Sequence, residues 1–192
     1  MSNTDAMKRR IFLFGLAAGP VLSACAPLPS ANPLGQELRQ TITFSEIDVT
    51  TTGAAFESGR GAEYASQLAP DLEAALRREF VDRMDPAGVP LRVDISRLNL
   101  AGSTATAFGR DQSRLQGAVR VEDRAGALIA SYGIDIRRGD PAETTTGALL
   151  DAATGRAART YRALASDFAR ETRVQVLGRD LPGERLLRQA TN

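Results

Sequence analysis

The sequence of 192 residues holds no histidine, no tryptophan and a single cysteine, and each absence removes a class of chemistry. Without imidazole there is no Ser-His-Asp or Cys-His nucleophile pair, no His-bearing zinc site and no proton shuttle titrating near neutrality. One thiol makes neither an internal disulfide nor a thiolate zinc cluster. Lysine is almost missing too: Lys8 stands alone, arginine supplies 23 of the 24 basic side chains, and no lysine beyond the N-terminus is left to form a Schiff base. Basic and acidic residues balance at 24 against 23, a formal net charge of +1, which gives no general pull towards nucleic acid. No catalytic group, metal or cofactor is expected from this inventory. What remains is ordinary globular composition, 43% hydrophobic and 24% charged, at a length that suits one domain burying roughly 70% of its unfolded surface. With aromatics at only 5%, Leu, Val, Ile and Ala must fill the core.

The first 25 residues read as an export address. Lys8, Arg9 and Arg10 form a basic stretch, an apolar run extends from Ile11 to Leu22, and small residues precede Cys25. The run is shorter than the ~20 residues of a permanent bilayer span. Leu22-Ser23-Ala24-Cys25 resembles the bacterial lipobox (Leu, Ala or Ser, Gly or Ala, Cys) at the usual distance from the basic residues. The resemblance implies diacylglyceryl transfer to the Cys25 thiol, removal of residues 1–24, and acylation of the new amine. Three acyl chains, at about 0.8 kcal/mol per buried methylene, hold a protein on a membrane far more firmly than one myristoyl chain. Ala26 stands where an Asp resembles an inner-membrane retention signal in many proteobacteria, so the resemblance favours the periplasmic face of the outer membrane over the inner membrane.

Arg9-Arg10-Ile11-Phe12-Leu13 also looks like the core of twin-arginine signals, which export folded cargo, although Lys8 and Phe14 depart from the usual residues. Paired arginines equally serve a general signal, so both routes stay open, and both lead to the periplasm. Cleavage removes Asp5, Lys8, Arg9 and Arg10, leaving 21 basic residues against 22 acidic ones. The slight basicity of the precursor therefore belongs to its address.

Residues 25–40 carry Pro27, Pro29, Ser30, Pro33 and Gly35 without apolar periodicity, and read as the lipidated cysteine followed by a flexible tether. A single periplasmic domain is expected over residues 41–178. Ile42 and Phe44 alternate with polar residues, then Ile47 and Val49 alternate on the other phase, so the first strand should carry a bulge at Ser45-Glu46. Residues 52–61, with Gly53, Gly59 and Gly61, read as a loop. Tyr64, Leu68, Leu72, Leu76, Phe80 and Met84 recur every fourth position, which predicts an amphipathic helix whose firm part starts near Ala69 with Pro70 and Asp71 in its first turn, the preceding residues forming a separate turn or a kinked extension, and Asp85-Pro86-Ala87-Gly88 as its stop. Leu91, Val93 and Ile95 begin a second strand that runs on towards Leu98 and Leu100. The stretch 101–113 is a long polar loop around Phe108.

A hairpin follows. Leu115, Gly117, Val119 and Val121 alternate, as do Leu128, Ala130, Tyr132, Ile134 and Ile136, with Asp123-Arg124-Ala125-Gly126 between them. Pairing Val121 with Leu128 places all of these on one face and sets Arg114 opposite Asp135 on the other. A second stripe of Leu150, Ala153, Ala157, Tyr161, Leu164, Phe168 and Thr172 predicts a long helix ending at Gly178. Residues 179–192 look like a loosely attached tail. The order is β-α-β-β-β-α: an α+β fold with a four-stranded, mostly antiparallel sheet and two helices packed on one face. Arg92, Asp94, Arg120 and Asp135 should lie on the uncovered face.

The run Arg114-Leu115-Gln116-Gly117-Ala118-Val119-Arg120-Val121-Glu122-Asp123-Arg124-Ala125-Gly126-Ala127-Leu128-Ile129-Ala130, after a lipobox and a strand-helix-strand unit, resembles small proteobacterial envelope lipoproteins. The element order is similar to that of the lipopolysaccharide-assembly lipoprotein and of auxiliary lipoproteins of lipid-transporting ABC systems. Ala26-Pro27 departs from the Gly-Phe that usually follows the lipidated cysteine of the assembly lipoprotein. The Ala- and Arg-rich, Lys-poor composition points to a high-GC alphaproteobacterial source. The resemblance implies a membrane partner through acyl chains on Cys25, an envelope protein partner, and a lipid ligand as an open alternative.

Carboxylates are the strong acid-base groups that remain. Asp48, Asp94, Asp123 and Asp135 fall in or beside strands, and two of them converging in a cleft would suit a carboxylate-dependent hydrolase; solvated or ion-paired strand residues are the commoner outcome. Asp123 to Gly126 is turn chemistry, since the spacing of a calcium loop is missing. Phe108 is either a plug against the core or an exposed anchor for a partner. Ala118, Ser131 and Gly133, with Ile129, would make the uncovered face locally flat. The leading expectation is a non-enzymatic, lipid-anchored accessory or scaffold of an outer-membrane assembly. The alternatives are a lipid- or glycolipid-binding auxiliary with an apolar groove beside Phe108, and the hydrolase.

Overall fold

Alternation with period two and stripes with period near four do produce a sheet with a helical layer on one face. The computed structural model describes residues 32–101, 112–138, 156–180 and 183–190. In chain order the elements are α1 (Gln36–Thr41), β1 (Phe44–Thr50), β2 (Ala55–Phe56), α2 (Gly59–Glu63), α3 (Ala65–Glu79), a 3-10 turn (Val81–Arg83), β3 (Val89–Asn99), β4 (Ser113–Glu122), β5 (Leu128–Arg138), α4 (Arg156–Leu177) and α5 (Glu184–Ala190). The strands are ordered β1-β3-β4-β5, with the short β2 also pairing β3. β1 and β2 run parallel to β3, and β3, β4 and β5 are antiparallel. The fold is α+β with two long helices over a mostly antiparallel sheet.

The apolar phases meet in one core. Phe44, Ile47, Leu91, Val93, Ile95, Leu98, Leu115, Val119, Val121 and Ile134 from the sheet are buried against Leu68, Leu72, Leu76 and Phe80 on one side and Leu164, Phe168 and Val176 on the other. α3 lies over β1 and against α4, which covers β4 and β5. Phe44 and Phe80 meet edge to face with ring centroids 5.2 Å apart, the arrangement their quadrupoles favour. The bulge expected in the first strand lies between Phe44 and Glu46. A second bulge, between Ile95 and Arg97, lets Leu98 and Leu100 follow Ile95 into the core.

Several expectations are corrected. The loop at 52–61 contains β2 and the short α2, whose first turn is capped by the Ser58 hydroxyl accepting from the Gly61 amide at 3.0 Å. Pro70 lies inside α3, not in its first turn: the Leu68 amide already donates to the Tyr64 carbonyl at 2.9 Å, so the proline removes only the donor due to the Ser66 carbonyl. α3 stops at Glu79, where the chain tightens into the 3-10 turn, and Met84 bridges to Phe44. The tether fails in its second half. Leu34 is buried in the core and 36–41 form α1, because burial of one leucine and the polar anchor at Asn32 outweigh the proline content. Residues 25–31 lie outside the described residues. The tail contains α5, and Asp180 before it pairs with Arg173 at 3.3 Å.

The hairpin register is shifted by two. Val121 pairs with Ala130, Val119 with Tyr132, Gly117 with Ile134 and Leu115 with Ile136. Asp123 explains the shift: its carboxylate accepts from the amides of Ala125 and Ala127, both at 2.8 Å, and Gly126 takes φ +82. That tight turn pairs Glu122 with Leu128, and a bulge at Ile129 absorbs the extra residue. Leu128, expected inward, is consequently 60% exposed. The long C-terminal helix ends at Gly178 as expected, the Gly178 amide donating to the Val174 carbonyl at 2.9 Å. Its N-terminal portion as read from the sequence, and Phe108, lie outside the described residues.

Candidate functional site

The uncovered face of the sheet gathers the outward positions of β1, β3, β4 and β5, and arginine dominates it. Register brings Arg92 beside Arg120 and Arg114 beside Arg137, two like-charge cross-strand pairs that would repel if left alone. Carboxylates intervene in both. Arg92 reaches Glu46 at 2.7 Å, Asp48 at 3.2 Å and Glu122 at 3.9 Å, while Arg120 reaches Asp94 at 2.7 Å and the same Glu122 at 3.7 Å. In the second pair Asp135 accepts two bonds from Arg114, at 2.6 and 2.7 Å, and lies 2.9 Å from Arg137. Arg97 pairs with Glu57 at 3.1 Å.

The fork of Arg114 on Asp135 is the strongest of these contacts, since planar guanidinium and carboxylate match in two parallel bonds. Those bonds hold the Asp135 carboxyl down to about 2, outweighing the desolvation that opposes it. The same bond pushes the Arg114 guanidinium upward. Sequence reading placed this pair correctly through an incorrect register: Gln116, not Arg114, is directly opposite Asp135, and the long arginine spans the diagonal.

Between the two charged clusters the face is low. Ala118 stands opposite Gly133 and Arg120 opposite Ser131, so a strip with almost no side-chain height separates the Arg92/Arg120 network from Asp135. Ser96 donates to the Gln116 carbonyl at 3.2 Å and adds no relief. The result is a flat, charge-patterned surface.

Of the four candidate carboxylates, Asp48, Asp94 and Asp135 are held by arginines and Asp123 by turn amides. Cys25, Arg9, Arg10, Leu22, Ser23, Ala24 and Phe108 lie outside the described residues, so the lipidation signal and the groove expected beside Phe108 are not part of the described site. Among the described residues no group of three or more His, Cys, Asp or Glu is arranged to hold a metal, and no helix is long and apolar enough to cross a membrane.

Sequence reasoning missed three buried polar devices. Arg173, 3% exposed near the C-terminal end of α4, binds both carboxylate oxygens of Asp82 at 2.8 and 2.9 Å, and donates to the Glu79 carbonyl at 2.8 Å. Tyr161 donates to Asp71 at 2.8 Å and stacks on Tyr64 with centroids 4.2 Å apart; burial, then the bond to Asp71, pushes its phenol upward. Asn32 accepts from the Tyr132 hydroxyl at 2.7 Å and the Leu34 amide at 2.9 Å, and donates to the Gln175 and Val176 carbonyls. Burial raises the Tyr132 phenol as well. Arg173 and Tyr161 were readable as polar residues within an apolar stripe; Asn32 gave no such signal.

No protein-family model matches the sequence, and no curated protein matches it. Among solved structures, the PelC dodecamer from Paraburkholderia phytofirmans is similar at 10% identity over 72% of this chain and 91% of that chain, with a TM-score of 0.37. A PelC variant from the same organism gives 9% identity, 72% and 92% coverage and a TM-score of 0.39. Protein XCC0632 from Xanthomonas campestris, of family DUF330, gives 14% identity, 71% and 74% coverage and a TM-score of 0.33.

Proposed function

We propose that this chain is a non-enzymatic, lipid-anchored accessory or scaffold protein on the periplasmic face of the outer membrane. The observation that carries the reading is Leu22-Ser23-Ala24-Cys25, placed after a basic stretch and a short apolar run. The sole cysteine then serves as the anchor, and Ala26 favours the outer membrane. The absence of histidine and the arginine-held carboxylates support a binding role over a catalytic one. The flat strip at Ala118, Ser131 and Gly133, bordered by Arg92, Arg120 and Asp135, is the surface offered to an envelope protein partner.

The test is the mass of the mature N-terminal peptide and the fractionation of the protein on a membrane density gradient. An acylated Cys25 peptide and migration with outer membranes are expected, with release to the soluble periplasmic fraction in Cys25→Ala. An unmodified Cys25, or a Cys25→Ala protein that fractionates unchanged, overturns the anchor. Co-purification with an envelope protein that is lost in Ala118→Arg/Gly133→Arg supports the docking face; unchanged co-purification removes it.

A further inference from the structure

Leu186 and Leu187 on α5 are each 71% exposed, ahead of Leu128 at 60% and Leu38 of α1 at 41%. A seven-residue helix gains little from its own backbone, and leucines this exposed suit contact with an apolar surface. Their place in the fold identifies one. Asn32 is tied to the carbonyls of Gln175 and Val176 at the end of α4, and Arg39 of α1 approaches Gly178, where a Cβ would lie 3.7 Å from its Nη1. The chain that leads back to Cys25 and the chain that leads on to α5 thus leave the body at the same end. Seven peptide steps separate Cys25 from Asn32 and span at most about 25 Å.

We infer that α5 is a second membrane contact, lying on the phospholipid surface to which Cys25 is anchored, with Leu186 and Leu187 entering the boundary between headgroups and acyl chains. This rests on the lipid-anchor reading above. Two leucines are a small foothold for a free protein. An anchored chain with so short a leash presents them at an effective concentration on the order of millimolar, so a weak contact suffices. Residues 179–190 carry three arginines against Asp180 and Glu184, a net +1, which is compatible with anionic headgroups. Together the acyl group and α5 fix the orientation of the body, which a single point of attachment would leave free.

The lack of native tryptophan makes the test direct. Single-tryptophan variants Leu186→Trp and Leu187→Trp of residues 25–192 are coupled through the sole thiol, Cys25, to a maleimide phospholipid in phosphatidylethanolamine and phosphatidylglycerol vesicles, with Leu128→Trp on the hairpin as the control. A blue shift of emission and loss of intensity on brominated lipids are expected for position 186 or 187, stronger for bromine near the headgroup, and neither for position 128. Unquenched, red-shifted emission from both α5 variants overturns the proposal. A blue shift that follows protein density without quenching by brominated lipid also overturns it and makes a second copy the occupant. Chemical coupling replaces native acylation here, so a failure of the acylation reading appears only in the peptide mass, and a failure of α5 docking appears only in the quenching.

Discussion

Replacing Arg173 by methionine tests how α4 is fastened to the rest of the body. The guanidinium is 3% exposed, binds Asp82 with two bonds, reaches the Glu79 carbonyl at 2.8 Å and Asp180 at 3.3 Å, and its central carbon lies 5.7 Å from the Phe80 ring centroid. Methionine keeps most of the buried stem and removes every donor. Breaking a fully buried ion pair from one side costs about 3–5 kcal/mol, and a single bond from a charged donor contributes about 1.5–3 kcal/mol. The Asp82 and Asp180 side chains are 35% and 21% exposed, so water recovers part of what they lose. The buried Glu79 carbonyl bond is the larger loss, and the sum comes to about 3 kcal/mol.

For a domain of this size that loss lowers Tm by about 6–12 °C, read by far-ultraviolet circular dichroism during heating and checked by urea titration. Arg173→Lys keeps the charge but not the planar fork, and is expected to lose about half as much. A cycle with Asp82→Asn should show a coupling of about 1–2 kcal/mol. If Arg173→Met unfolds within about 1 kcal/mol of the parent, or the cycle is additive, the three-segment clamp is refuted.

Asp135 has a folded-state carboxyl at about 2 against an ordinary 3.8. A depressed carboxylate stabilises the fold above its unfolded value and loses that contribution as pH falls towards the folded one; Asp135→Asn should therefore flatten the stability loss between pH 4 and pH 2, measured by urea midpoints across that range. Gly117 and Gly133 face different surroundings: a Cβ on Gly117 would lie 2.7 Å from the Asp94 carbonyl oxygen and 3.0 Å from Ile95 Cδ1, whereas one on Gly133 would meet nothing within 4 Å. Gly117→Ala should cost roughly 1–3 kcal/mol through overpacking, and Gly133→Ala should raise stability by about 0.5 kcal/mol through the unfolded chain, with equal urea midpoints counting against both. Asn32→Ala leaves the largely buried Tyr132 hydroxyl and the α4 carbonyls without their partner, and should cost about 1–3 kcal/mol with faster amide exchange over 34–42; unchanged exchange there would dissociate the N-terminal segment from this contact.

The elements that were legible in the sequence are those whose signal is a repeated phase. Leu68, Leu72, Leu76 and Phe80 select one helix face, and Val119, Val121, Ala130 and Tyr132 select one sheet face, whatever lies at their ends. The hairpin shows why register is harder. Moving by two residues keeps Ala130, Tyr132 and Ile134 on their expected face and displaces only Leu128, beyond the bulge, so the hydrophobic pattern could not tell Val121 opposite Leu128 from Val121 opposite Ala130. The choice was made by the Asp123 carboxylate and the bulge at Ile129. The proline-rich segment failed for a different reason. Leu34 and Asn32 are two isolated positions that dock on distant elements, and isolated positions have no period to read.

The charged face and the anchor stand at opposite ends of this scale. Arg92, Arg120, Arg114 and Arg137 form one charged face only when the strands align, and the strands place arginines beside arginines; alternation predicted polar residues there and the Arg114–Asp135 pair, but not the arginine neighbours. Glu122 and Asp135 each relieve two arginines, which means that the face is specified by shared carboxylates and that loss of either should disturb both neighbours. The lipidation signal depends on no such alignment. The lipobox proposed at Leu22-Ser23-Ala24-Cys25 is a motif of adjacent residues, legible without any fold. Cys25 could therefore be singled out from the sequence alone, whereas the low, charged face around Ala118 and Gly133 had to wait for the register of β4 and β5.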